Sequence, residues 1–220
     1  MIDFSKIELV IFDMDGTLID SGVDLGVALH LALQEEGYTD HTAESLTEKI
    51  WMGFKHILSE ILEGNTETEQ RVLDRYSGHY KTKMFDNATL YSDVNQLLEL
   101  LKTKQIAVLS NQREQFCRAF LKHFGIDHHF KMVLGGDSLP TRKPDPAPIL
   151  HICSSLGVKP ENTLMVGDSP IDLEAGSAAG VMTLGLLRGL TPEDIMRKSK
   201  AHVFLDRVGD MISFLKLNKQ

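Results

Sequence analysis

The chain has 220 residues, 42% hydrophobic and 25% charged, the make-up of a globular protein with one large domain or a core plus an insertion. Twenty-three basic against thirty-one acidic residues leave a formal charge of −8, the wrong sign for a general nucleic-acid binder or a surface drawn to anionic lipid. No apolar run reaches the roughly eighteen residues of a membrane span, and the residues from Met1 to Lys6 lack the apolar core of a signal peptide, so a cytoplasmic protein is expected.

The first apolar run, Leu9-Val10-Ile11-Phe12, ends at Asp13. The next, Ile106-Ala107-Val108-Leu109, begins about ninety residues later, whereas a βαβ unit takes only ~30. The excess reads as helical, with helices over 22–37, 43–63 and 66–83 and with Gly37 and Gly64 as stops. Ser92 is placed to cap a helix with Val94, Leu97, Leu98 and Leu101 on one stripe. The second run leads into Ser110-Asn111, followed by helical spacing of Phe116, Phe120, Leu121 and Phe124 before Gly125. His128-His129 then reads as loop surface rather than a ligand pair. Met132-Val133-Leu134 runs into Gly135-Gly136-Asp137, where Asp137 is expected as a turn residue linked to Lys143. A helical pattern from Ile149 to Leu156 ends at Gly157, and Leu164-Met165-Val166 runs into Gly167-Asp168-Ser169. Val181–Leu184 and Val203–Leu205 complete six runs. Cys117 and Cys153 stand in unrelated contexts and read as reduced thiols.

Continuous apolar runs alternating with helices predict an α/β fold, a Rossmann-like parallel-sheet core with an inserted all-helical domain. The expected division is a core of 1–21 plus 89–220 and a helical domain of 22–88. In such a sheet, ligands bind beyond the carboxyl ends of the strands. The residues expected there are Asp13 and Asp15, Ser110 and Asn111, Lys143, and Asp168 and Asp172. Carboxylates converging from separate segments repel one another unless a cation lies between them, and Mg²⁺ is the natural occupant. With Lys143 and the Ser110 hydroxyl nearby, the cluster suits a phosphoryl group. Asp13 is placed to attack phosphorus, and Asp15, two residues on, to protonate the leaving alcohol and later activate water.

Asp13-Met14-Asp15-Gly16-Thr17-Leu18-Ile19-Asp20-Ser21 resembles the first motif of the haloacid-dehalogenase-like hydrolases. Ser110-Asn111 resembles the second, Arg142-Lys143-Pro144-Asp145-Pro146 the third, and Gly167-Asp168-Ser169-Pro170-Ile171-Asp172 the fourth. All four occur in order and span nearly the whole chain, with the helical insertion where that family keeps its cap. The resemblance implies a Mg²⁺-dependent phosphatase acting on a small phosphorylated metabolite through an aspartyl-phosphate. It implies Asp13 as nucleophile and metal ligand, and Asp15 as acid/base with its carbonyl reaching the metal. Ser110 would bind phosphate with the Asn111 backbone helping, Lys143 would bridge phosphate and nucleophile, Asp168 would ligate Mg²⁺ directly, and Asp172 would do so directly or through a water. Within the cap, Gly53, Lys55 and His56, beside Trp51, fall where related caps face substrate.

The first motif is most similar to the phosphoglycolate-phosphatase-like branch. That branch often places Lys after the second-motif Asn, whereas this chain has Gln112-Arg113. The alternatives are a sugar phosphomutase of the same superfamily and a non-catalytic aspartate-phosphorylated receiver or phosphometabolite sensor. The expected partners are the metabolite itself and no nucleic acid or membrane, with the chain a monomer or weak homodimer.

Overall fold

Leu9-Val10-Ile11-Phe12 is buried at every position, so this strand has no solvent face and must be covered above and below. The structure, a computed structural model, describes residues 3–217. It opens with β1 (Leu9–Phe12) and β2 (Ile19–Asp20), then α1 (Gly22–Glu35), α2 (Ala43–Thr47), α3 (Phe54–Ile61) and α4 (Thr66–Lys83). The chain continues through β3 (Thr89–Leu90), α5 (Val94–Leu100), β4 (Gln105–Leu109), α6 (Glu114–His123), β5 (Met132–Leu134) and α7 (Ala147–Leu156). It ends with β6 (Thr163–Gly167), α8 (Pro170–Ala178), β7 (Met182–Leu186), α9 (Glu193–Met196), β8 (Val203–Leu205) and α10 (Met211–Leu217).

Six strands form one sheet in the order β5-β4-β1-β6-β7-β8, and its pairings are parallel. This is the expected α/β sheet with an inserted helical region. The chain moves outward from β1 through β4 to β5, then crosses back to β6 on the other side of β1. That reversal opens a crevice at the carboxyl ends of β1 and β6. Phe12 pairs with both Val108 of β4 and Val166 of β6, so the residues after all three strands leave the sheet at one edge.

Strand alternation sorts the side chains between two layers. Leu9, Ile11, Ala107, Leu109 and Met165 form one core with Ile149, Ile152 and Cys153 of α7 and Ala175 of α8. Val10, Phe12, Ile106, Val108, Leu164 and Val166, which alternate with them, are equally buried. At ~1.5–3 kcal/mol per fully buried aliphatic side chain, these layers hold the sheet edge in place without a disulfide. Both cysteines are buried and free, as expected.

The chain divides into two compact units, one running to Ile19 and resuming at Leu90, the other Asp20–Thr89. In the second, α1 packs on α2 and α4, burying Leu25, Leu29 and Leu33 together with Val72, Tyr76 and Tyr80. Asp24, in the first turn of α1, is buried and accepts hydrogen bonds from the backbone N–H groups of Asn87 and Ala88 and from Asn87 Nδ2. The segment after α4 is thereby tied to the start of α1.

Two local expectations need correction. The stretch 43–63 is not one helix: it breaks into α2, a 3₁₀ turn at Ile50–Met52 and α3. Gly53 causes the break, because its φ of 80° and ψ of 144° are open to glycine and strained for other residues. Ser92 does not cap α5, which starts one residue later behind Asp93, without a side-chain cap hydrogen bond.

Candidate active site

Asp13, Asp168 and Asp172 come from two strand ends and one helix, yet oxygens of all three lie within 4.8 Å of one another. All three residues are buried. Asp13 still belongs to the sheet ladder, its N–H donating to Val166 O at 2.9 Å. The buried ammonium of Lys143 joins them, donating to Asp13 Oδ1 at 2.6 Å, Asp172 Oδ1 at 2.6 Å and the carbonyl of Leu109 at 2.7 Å. Its three protons thus have three acceptors. Asp13 Oδ2 receives no hydrogen bond among the described residues.

The other carboxylates are fixed by local structure. Thr17 Oγ1 donates to Asp168 Oδ1 at 3.1 Å and Leu190 N–H to Oδ2 at 2.7 Å. Asp172 sits at the third position of α8 in a reciprocal cap: Ser169 accepts from its N–H, and its Oδ2 accepts from the Ser169 N–H and hydroxyl. Helix capping and contact with Lys143 are therefore roles of one side chain, not alternatives. Two glycines make room. A Cβ on Gly16, whose φ is +82°, would fall on the Asp168 carboxylate, and one on Gly167 would fall on that of Asp172.

Burial pushes the Asp13 carboxyl well above its ordinary range; Lys143 opposes this, while Asp172, Asp168 and Asp15 add to it. Burial, then Asp172, pushes Asp168 up to about 7 against the hydrogen bonds from Leu190 and Thr17. Burial alone would lower Lys143, but Asp13 and Asp172 outweigh it and hold the ammonium charged. If all three carboxyls ionised, they would leave an excess of two negative charges beside one ammonium in a buried space, which is why the titration of Asp13 and Asp168 is displaced upward. That donor set, all oxygen and with titration displaced upward, fits a small divalent cation.

Ser110 is buried at the end of β4, and its Oγ accepts from Gln112 N–H at 3.0 Å. Asn111 Nδ2 donates to the backbone carbonyl of Lys143 at 2.9 Å, while its Oδ1 is buried with no partner among the described residues. Asp15 lies close enough to raise Asp13, and its backbone bridges to Ile19. Asp137 lies in a turn as expected but does not reach Lys143; its Oδ1 accepts from Glu114 N–H at 2.8 Å, capping α6. A free first-turn N–H three residues after the second motif offered it a nearer partner. Gly53, Lys55 and His56 lie in the helical unit, the latter two exposed on the first turn of α3, and Trp51 is half-buried. Sequence reasoning missed the supports: Thr17, Leu190 N–H, Ser169, the Asn111 side chain and the Leu109 carbonyl. Thr17 and Ser169 carried a signal, since each is a hydroxyl beside a motif aspartate. The Leu190 and Leu109 contacts are backbone groups and carried none.

A family model described as haloacid dehalogenase-like hydrolase matches residues 10–186. The chain is 34% identical over 222 residues to a phosphoglycolate phosphatase of Haemophilus influenzae, covering 96% of this chain and 99% of that one. To the phosphoglycolate phosphatase of Psychrobacter arcticus it is 34% identical over 211 residues, with 90% and 92% covered. Among solved structures it is similar to a predicted phosphoglycolate phosphatase from Haemophilus somnus, at 28% identity and TM-score 0.84, covering 96% and 98% of the two chains. A haloacid dehalogenase-like protein of Bacteroides fragilis superposes with TM-score 0.85 at 26% identity, covering 93% and 99%. No helix among the described residues is long and apolar enough to cross a membrane.

Proposed function

The chain belongs to the haloacid dehalogenase-like hydrolases, and from that premise we propose that it is a Mg²⁺-dependent phosphomonoesterase with Asp13 as its nucleophile. One observation carries the proposal: Lys143 grips Asp13 Oδ1 at 2.6 Å while Oδ2 has no hydrogen bond among the described residues. The carboxylate is thus oriented with one oxygen held and the other available to attack. Asp13, Asp168, Asp172 and the Asp15 carbonyl would hold the cation, which when bound supplies positive charge to the phosphoryl oxygens.

In the first half-reaction Asp13 Oδ2 bonds to phosphorus, the ester P–O bond breaks, and Asp15 gives its proton to the departing alcohol oxygen. In the second, Asp15 takes a proton from water as the water oxygen bonds to phosphorus. The acyl-phosphate P–O bond then breaks, releasing inorganic phosphate and restoring both aspartates. Lys143 offsets the phosphoryl charge throughout, and Ser110 and Asn111 orient the group.

For substrate we infer a small phosphorylated metabolite, with 2-phosphoglycolate favoured by the likeness to the phosphoglycolate phosphatases of Haemophilus influenzae and Psychrobacter arcticus. Gly53, Lys55 and His56 are proposed as selectors of the leaving group. The test is phosphate release from an aryl phosphate, 2-phosphoglycolate and sugar phosphates, with and without Mg²⁺, in wild type and Asp13→Asn. Release that needs both Mg²⁺ and Asp13 supports the reading. Equal turnover by Asp13→Asn sinks it, and an aspartyl-phosphate stable for minutes replaces it with a receiver.

A further inference from the structure

Outside the aspartate cluster, one more group of side chains among the described residues has the geometry of a metal site. Glu99, on the last turn of α5, faces His128 and His129 on the 3₁₀ turn Asp127–His129 that precedes β5. One ligand atom from each lies within 4.8 Å of the other two. The two imidazoles are 4.1 Å apart between centroids and tilted by 37°, and His129 Nε2 stands 3.8 Å from Glu99 Oε1. That separation is too long for a hydrogen bond. It is close to the ~3.3 Å between donors on a tetrahedral ion with bonds of roughly 2.0–2.1 Å. Small rotations of two exposed side chains, Glu99 and His128, would close the remainder, whereas His129 is more enclosed, its side chain 11% exposed.

We propose that Glu99, His128 and His129 form a second cation site, selective for Zn²⁺ and similar borderline divalent ions rather than Mg²⁺. The donor chemistry decides the class. Two imidazoles and one carboxylate suit Zn²⁺, with water in the fourth position, while Mg²⁺ demands oxygen donors such as the aspartate cluster offers. A bound ion would join α5 to the turn leading into β5, two segments about thirty residues apart in sequence, and would stabilise the folded chain by mass action. The site needs nothing from the phosphatase reading.

The experiment is Zn²⁺ titration by calorimetry of the full chain in saturating Mg²⁺, which keeps the aspartate cluster occupied. Wild type is compared with His128→Ala and Glu99→Gln, both exposed positions where substitution leaves the core untouched. One Zn²⁺ equivalent in wild type, weakened by at least about tenfold in each variant, supports the site. Co²⁺ should give visible d–d absorption in wild type that His128→Ala loses, and Zn²⁺ should raise the thermal midpoint of wild type alone. Unchanged Zn²⁺ stoichiometry and affinity in both variants overturns the proposal, as does the absence of any Zn²⁺ equivalent in wild type. Phosphate release with Mg²⁺ should be equal in wild type and both variants, so failure here leaves the phosphatase reading standing.

Discussion

Replacing Lys143 by methionine keeps the length of the side chain and removes the one ammonium among three buried carboxylates. Its Nζ makes hydrogen bonds of 2.6, 2.6 and 2.7 Å to Asp13, Asp172 and the Leu109 carbonyl, and each of the three accepting oxygens would lose this bond. Breaking a buried ion pair from one side typically costs about 3–5 kcal/mol, because the remaining charge is left without compensation. In a chain of this size that lowers the thermal midpoint by roughly 6–20 °C. The penalty must depend on pH. Asp13 and Asp168 titrate above their unfolded values, Asp168 at about 7, so these two groups bind more protons in the metal-free folded chain than in the unfolded chain between about pH 4 and 7. Stability from these groups is therefore full below the unfolded pKa and lost as pH rises through the folded one. Removing the lysine that opposes the Asp13 shift steepens this loss. Urea unfolding without divalent cation, at pH 5 and pH 8, should show a deficit for Lys143→Met that is several-fold larger at pH 8. Mg²⁺ at pH 8 should recover part of it. An equal deficit at both pH values, or one below about 1 kcal/mol at pH 8, would refute the account of Lys143 as counter-charge.

The supports of the site can be tested in the same way. Thr17→Val, which deletes the donor to Asp168 Oδ1, should weaken Mg²⁺ about 10–100-fold by calorimetry with little change in fold by circular dichroism. Gly16→Ala should cost Mg²⁺ binding outright, since its Cβ falls on the Asp168 carboxylate from a φ of +82°; an unchanged Mg²⁺ isotherm would contradict the packing. Because Asp168 sits at about 7 in the metal-free chain, protons compete with the cation below that value, so the Mg²⁺ concentration for half-maximal phosphate release should rise as pH falls from 8 to 6. Asn111→Ala frees the Lys143 carbonyl and should lower kcat/KM by about 5–100-fold, the range of a lost hydrogen bond, with phosphate affinity measured separately by inhibition. Asp24→Asn places an amide donor against three N–H groups and should destabilise the helical unit by about 1–3 kcal/mol in limited proteolysis.

The sequence alone determined the class of fold and which motif residues the sheet brings to one edge. Runs such as Leu9–Phe12 are short, carry no polar side chain and end in turns, which suits strands covered on both faces, and a parallel sheet delivers the residues at its strand ends to one edge. Four short motifs in order then carried the family, because chemistry at a sheet edge is written in contiguous residues. The break at Gly53 was harder to read: glycine ends helices and also tolerates their interiors, and only a backbone conformation tells which. Capping was also hard to read: α5 starts behind Asp93 with no side-chain cap hydrogen bond although Ser92 stands one residue earlier, and Asp137, expected at Lys143, accepts instead from Glu114 N–H at the start of α6. What tertiary structure alone decided was the state of the charges. Which oxygen of Asp13 Lys143 holds, how Leu190 N–H meets Asp168 across 22 positions, and why Asp168 titrates near 7 all depend on burial and on distances between segments remote in sequence. Residue identity specifies a charge, but the desolvation and Coulomb energies that tune it scale with surroundings that exist only once the sheet has formed.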